Sequence, residues 1–335
     1  MNRECVVCNR ATGSASALCV VHSIASSIGI IDAEPTYVLD LTIRALISRL
    51  KARATARDSD ALLTLLDFAE VDKINPLILV EGSLEVLEAQ ILLGATHPSR
   101  IARAELAAHE WLLSLVSLPE RSEDRDDVRL SLVRFHSLRG RIAHLRGDFA
   151  LAAAVHERNV ELLSASSMSA PEELTILERS LVSASLYLSG EVRDSRRLSD
   201  ELFENTSDSR HDSAGVLVTA RFIEHGIAAG EIDAVVELAH DAASVVLKSQ
   251  PGAASEAIWQ VMLLRDAAKT LDMAGEKVRS RVVLEQAREL AVEFGLLDQV
   301  NKLVALSDEM NAAMSSSRDP KPILFNGTGD AIRYQ

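Results

Sequence analysis

Four near-identical phrases punctuate the chain: Gly147-Asp148-Phe149, Gly190-Glu191-Val192, Gly230-Glu231-Ile232 and Gly275-Glu276-Lys277. Their glycines stand 43, 40 and 45 residues apart. Each phrase sits between two stretches whose apolar residues recur with helical period. Glycine ends a helix readily in the left-handed conformation, and an acidic residue after it suits the next helix's N-terminus. A helix–turn–helix unit repeated at such a period must stack on its neighbours to bury its apolar face. The sequence therefore predicts an all-α, helical-hairpin solenoid.

Composition agrees. Hydrophobic residues make up 47% of the chain but aromatics only 4%, so Leu, Ala, Val and Ile must build the core. Those residues, with only 15 Gly and 8 Pro in 335 positions, favour long helices and leave too few turn signals for an all-β fold. Hairpins are expected at about 77–117, 124–165, 171–206, 210–249 and 252–294, with helix 296–315 capping the last one. The organisation read along the chain is a zinc knuckle-like module at 1–34, N-terminal helices at 35–74, the solenoid at 75–315 and a flexible tail at 316–335. In that tail Ile323-Leu324-Phe325 is an apolar triplet suited to docking on a groove.

The clearest repeat is RGRIAHLRGDFALAAAVHERNVELL, residues 139–163. Its Gly140, Gly147, Asp148, Phe149 and Ala152 resemble the tetratricopeptide repeat. Ser195, Val235 and Ser280 stand where later copies would repeat Ala152. The period is longer than that family's, which requires longer helices, and HEAT-like stacking shares it. The resemblance implies a concave groove that binds a protein or peptide through the first helix of each hairpin. Arg134, Arg141, His144, Tyr187, Arg221 and His225 are polar residues amid apolar helix faces there, and are the candidate partner-binding residues.

The chain's three cysteines, Cys5, Cys8 and Cys19, fall within fifteen residues, and His22 follows. The spacing C-x2-C-x10-C-x2-H brings two thiolates together through a tight turn and a second ligand pair, Cys19 and His22, onto one helix turn. Four such ligands fill a tetrahedral Zn²⁺ shell with no position left for water, which makes the expected site structural. Zinc-finger peptides gain on the order of 10–16 kcal/mol from the metal, ample to order so short a segment. Cys5, Cys8, Arg10, Leu18, Cys19 and His22 also resemble treble-clef or knuckle-like zinc motifs. Such modules occur in nuclease and DNA-associated proteins and as protein-binding or structural units. Ser23-Ile24-Ala25 replaces the aromatic and basic residues that often follow the histidine.

Charge is uneven. Residues 1–57 hold seven Lys/Arg against four Asp/Glu, a net of +3, which leaves −17 of the overall −14 to the other 278 residues. So acidic a body repels phosphate backbones, and any nucleic-acid contact is expected from the N-terminal region alone. A helix expected over 36–57 would align Arg49, Arg53 and Arg57 at i, i+4 and i+8. That stripe either faces phosphates or pairs with acidic groups of the solenoid.

No nucleophile elbow, P-loop, dinucleotide fingerprint or zinc-protease helix occurs. Trp111 and Trp259 read as packing residues. No apolar run approaches the ~20 residues of a membrane span, and the N-terminus does not read as a signal peptide. The expectation is a cytoplasmic, noncatalytic interaction protein, free to self-associate. The alternative is a regulator whose zinc and arginine segment touches DNA while its solenoid senses a peptide.

Overall fold

The computed structural model describes residues 20–30, 38–67, 69, 74–94, 98–116, 125–165, 172–206 and 213–317, and two short strands. At 20–22, 125, 165, 313–317 and in the strands, the backbone alone is described. Strand β1 (Arg3–Glu4) pairs antiparallel with β2 (Ala11–Thr12). The remaining described elements are helices. Near the N-terminus lie α1 (Val20–Ser27), α2 (Val38–Ala52) and α3 (Ala56–Leu66). Five hairpins follow: α4 (Pro76–Leu92) with α5 (Pro98–Val116), α6 (Arg125–Leu145) with α7 (Phe149–Ala165), α8 (Glu172–Ser189) with α9 (Val192–Asn205), α10 (Ser213–Ala229) with α11 (Ile232–Val246), and α12 (Ala254–Met273) with α13 (Lys277–Glu293). Helix α14 (Leu297–Ser317) packs on the last pair.

The expected glycine turns are present. Gly147, Gly190, Gly230 and Gly275 all have φ between 74° and 94°. After each, the backbone N–H of the acidic residue donates to a carbonyl five positions back, such as Asp148 to Ala143 at 2.9 Å and Glu276 to Leu271 at 2.8 Å. This closes the helix end in a Schellman arrangement. The acidic residues differ in what they then do. Asp148 Oδ1 accepts from Leu151 N at 3.2 Å, whereas the side chains of Glu191, Glu231 and Glu276 form no cap bond. Glu231 and Glu276 instead pair with Arg196 and Arg279.

Two layers follow from side-chain pattern. The second helices are amphipathic: α11 buries only Val235, Ala239, Ala243 and Val246, spaced three or four apart along one face. The first helices are covered on more sides, and α4 buries every residue from Gly82 to Leu92. Small residues set the crossing within each hairpin. Ala152, Ser195, Val235 and Ser280 are all buried. The serines at this position are accommodated by donating to a carbonyl of the facing helix. Ser195 Oγ donates to Ser183 O at 2.6 Å, and Ser280 Oγ to Ala268 O at 2.6 Å.

The array returns on itself. Ala54 N donates to Phe294 O at 3.2 Å, Arg53 Nη2 reaches Val292 O at 3.4 Å, and α2 packs against α12. Gly295 (φ 74°) lies so close that a Cβ there would stand 2.1 Å from Ala54 O, and one on Gly94 would meet Asp298 Cβ at 2.8 Å. The α2–α3 link and the turn of the first hairpin thus meet the end of the last hairpin and the start of α14 in a seam. The first helices face the interior it closes.

The expected single helix over 36–57 is instead two. The chain leaves helical geometry after Ala52, and Thr55, with φ −133° and ψ 139°, caps α3 by accepting from Asp58 N at 3.2 Å. A threonine before an acidic first turn is a strong N-terminal signal that outweighed the apolar periodicity running across it.

Candidate functional site

A cavity of about 470 Å³ lies where α2, α4, α6, α8 and the start of α12 converge, beside the seam. Leu92, Leu130, Leu174, Leu177 and Leu181 supply much of its wall. Its charges sit on α4 and α6. Arg134 Nη2 donates to Glu85 Oε1 at 2.7 Å and to Glu88 Oε2 at 2.6 Å, and Arg141 Nη1 donates to Glu88 Oε1 at 2.9 Å. Burial opposes ionisation of Glu88, but the two guanidiniums outweigh it and hold its pKa at about 2. Glu85 lies the other way: burial pushes its carboxyl up, with Arg134 only partly compensating. Lys51 Nζ stands 3.9 Å from Glu85 Oε1 at the edge of the group.

Arg141 is the residue with capacity to spare. Its side chain is 12% exposed, its Cζ lies 5.6 Å from the centre of the Trp259 ring, and its buried Nη2 has no acceptor. A buried guanidinium arm without an acceptor is costly, and a ligand oxygen would relieve it. The hydroxyls of Ser137 and Ser255 also line the cavity. Glu178, on the α8 wall, is already engaged through Oε2, which accepts from Asn159 Nδ2 at 3.1 Å and lies 2.8 Å from His156 Nδ1.

Of the six residues expected to bind a partner, Arg134 and Arg141 reach this cavity. The others lie on the same set of first helices but turn elsewhere. His144 packs edge-on against Phe149, with ring centres 5.1 Å apart, and lies 3.5 Å from Ser185 Oγ. Desolvation, then the nearby charges of Arg221, His156 and Lys302, lower its pKa to about 4, so it is neutral near pH 7. Tyr187 packs edge-on against His225 at 5.0 Å. Arg221 pairs with Glu224 one helical turn on, and its Nε has no acceptor.

Ser195 and His225 form a contact worth testing for chemistry, with Oγ 3.0 Å from Nε2. Ser195 Oγ spends its proton on Ser183 O, and Ser183 Oγ donates in return to Ser195 O at 3.0 Å. His225 Nε2 is therefore the donor to Ser195, the reverse of a base activating a nucleophile. Both side chains are buried. The contact is a packing device.

Glu85, Glu88 and Trp259 were not singled out as site residues. The signal for the acids was present: two carboxylates three apart in the run PLILVEGSLEVLEAQILL, with too little polar surface for a solvent face. Trp259, read as packing, packs and also lines the cavity.

Cys5, Cys8 and Cys19 lie outside the described residues, and His22 falls in α1 with its backbone alone described. The described elements frame them: β1 and β2 flank the segment with Cys5 and Cys8, and α1 begins one residue after Cys19. Ala25 of α1 is buried in the core, with Ile24 and Ile28 packed beside it. Among the other described residues no group of three or more His, Cys, Asp or Glu is placed to hold a metal.

The three arginines do not form one stripe. Arg49 makes a two-pronged pair with Asp58, at 2.9 and 3.2 Å, Arg53 faces the α13 terminus, and Arg57 is exposed on α3. Residues 318–335, including Ile323-Leu324-Phe325, lie outside the described residues. No described helix is long and apolar enough to cross a membrane. No protein-family model matches the chain, and no curated protein matches it.

Proposed function

We propose that the chain is a noncatalytic receptor of tetratricopeptide-like build that takes a short peptide segment of a partner into its interior. The observation that carries this reading is the cavity on the first-helix face, where an incompletely paired Arg141 stands over Trp259 among leucines. Its volume lies within the ~300–1,000 Å³ of small-ligand sites, and its chemistry is that of recognition: apolar walls with a few placed polar groups. The ionisable groups there serve one another. Arg134 and Arg141 hold Glu85 and Glu88 ionised or paired, which leaves no nucleophile and base in contact. That pairing supports a noncatalytic role for the cavity.

The test is selection of a random heptapeptide library on the immobilised protein, compared with a Leu177→Trp variant whose larger ring fills the cavity. Enrichment by the parent and its loss in the variant is the expected outcome. Equal enrichment by both would move binding out of the interior.

The N-terminal segment is proposed as a structural zinc module held by Cys5, Cys8, Cys19 and His22. The strands on either side of Cys5 and Cys8 and the start of α1 after Cys19 support a site that would draw one ligand pair from a turn and one from a helix's first turn. Bound zinc would act there as a cross-link in place of a core. Metal analysis in reducing buffer should find about one zinc per chain, and Cys8→Ser should abolish it; a metal-free parent protein refutes the module.

A further inference from the structure

The interior cavity is more selective than a general peptide groove. Around Arg141, two guanidiniums face the carboxylates of Glu85 and Glu88, and the Lys51 ammonium beside them is paired with Glu81 at 2.5 Å, so the charges of this cluster balance and what it lacks is one hydrogen-bond acceptor. Glu178, the remaining acid of the wall, is turned to His156 and Asn159. The donor left without an acceptor is Arg141 Nη2. Ser137 and Ser255 also line the cavity, and most of the remaining wall is leucine and alanine.

These features distinguish the ways a peptide can enter. A segment passing through would need two mouths and a row of partners for its amides, because buried backbone groups without partners are strongly disfavoured. The cavity offers few such partners. A chain end needs one mouth, brings two strong acceptor oxygens, and leaves only its last amides to satisfy. A planar carboxylate also suits the guanidinium fork, whose other arm is held by Glu88.

Resting on the interior-receptor reading above, we propose that the partner enters by its C-terminus, with its terminal carboxylate on Arg141 and its apolar last side chains among Leu92, Leu174, Leu177 and Leu181. Arg134 stays with Glu85 and Glu88 and keeps Arg141 in place. Ser137 and Ser255 meet the backbone just before the carboxylate. Trp259 covers the guanidinium.

Trp259 gives the readout. In a Trp111→Phe background it is the only tryptophan, and its fluorescence reports occupation of the cavity. The probes are N-acetylated pentapeptide pools with Leu, Val or Ile at the last two positions, made as free acid and as C-terminal amide, together with octanoate. Titration should give saturable quenching or a spectral shift with the acid pool and about ten- to hundredfold weaker binding of the amide pool, the span of one charged hydrogen bond. Arg141→Gln should erase the difference between acid and amide, while Arg141→Lys, which keeps the charge, should restore part of it. Thermal melts of both variants control for folding.

Equal binding of acid and amide would overturn the carboxylate assignment and leave the interior receptor standing. Binding of octanoate with no response to either pool would overturn the peptide terminus in favour of a small monocarboxylate. No response to any probe, with the heptapeptide selection also blank, would overturn the receptor reading itself.

Discussion

Gly230 and Gly295 have the same backbone geometry, φ 74° in both, and very different surroundings. A Cβ on Gly230 meets nothing within 4 Å, whereas one on Gly295 runs into the Ala54 carbonyl. The first position asks only for left-handed backbone, which costs a side-chain-bearing residue about 1–2 kcal/mol. The second asks for that and for space. Gly230→Ala should therefore lower stability by about 1 kcal/mol, and Gly295→Ala by ~3 kcal/mol or more, because the seam must shift to admit the methyl. Paired urea titrations of the two variants check this; equal midpoints would mean that the seam contributes nothing to the fold. The same contrast explains what the sequence disclosed. Gly230 belongs to a local phrase whose period is visible along the chain. Gly295 owes its role to Ala54, some 240 positions away, and no local pattern encodes that meeting.

At the scale of the helix, the inward elements carry histidines whose protonation burial opposes. Desolvation lowers the pKa of His136 and His144 on α6 and of His225 on α10, with His144 at about 4. An unfolded histidine titrates near 6.5, so between about pH 6.5 and 4 the unfolded chain binds protons that folded His144 refuses. Stability is full above that window and falls as pH drops through it. Glu88 adds an acid loss of its own, but only below its ordinary value of 4.5, down to about 2. Between pH 6.5 and 4.5 the histidine effect is therefore separable. His144→Gln should lose less stability than the parent over that interval, by on the order of 1–2 kcal/mol once partial exposure is allowed for. Parallel stability curves for the two proteins would contradict the burial assigned to His144.

The helices themselves were legible because their signals are local: glycine ends, acidic starts and an apolar stripe on each second helix. The interior was legible in part. Arg134 and Arg141 stand out as charges on a first helix, and their position predicted an inward role. Glu85 and Glu88 did not stand out, because α4 is apolar nearly all round and its three acids read as interruptions. Their meaning depends on α6 crossing at that height. The stripe of Arg49, Arg53 and Arg57 was misleading for a related reason: Thr55 starts a new helix, and Asp58 on that helix returns to Arg49.

For the whole molecule, the feature that matters is the closing of the array. An open solenoid would offer an extended groove for a long partner. Here α2 and α12 meet, and the cavity beside their seam is walled by helices from the first, second, third and last hairpins together with α2. Ligand and seam are therefore coupled: an occupant that touches both α4 and α12 ties the two ends of the array together. Such a ligand should stabilise the fold in proportion to its saturation, as any ligand specific for the native state does. The acidic exterior adds a bias against nucleic acid over most of the surface.

The most direct test of the interior receptor is hydrogen exchange of the full chain, free and saturated with the tightest heptapeptide from the selection. The account predicts added protection in α4, α6, α8 and the first turns of α12, with the outward helices α5, α9, α11 and α13 unchanged. Protection confined to those outward helices, with none on the inward set, would contradict it.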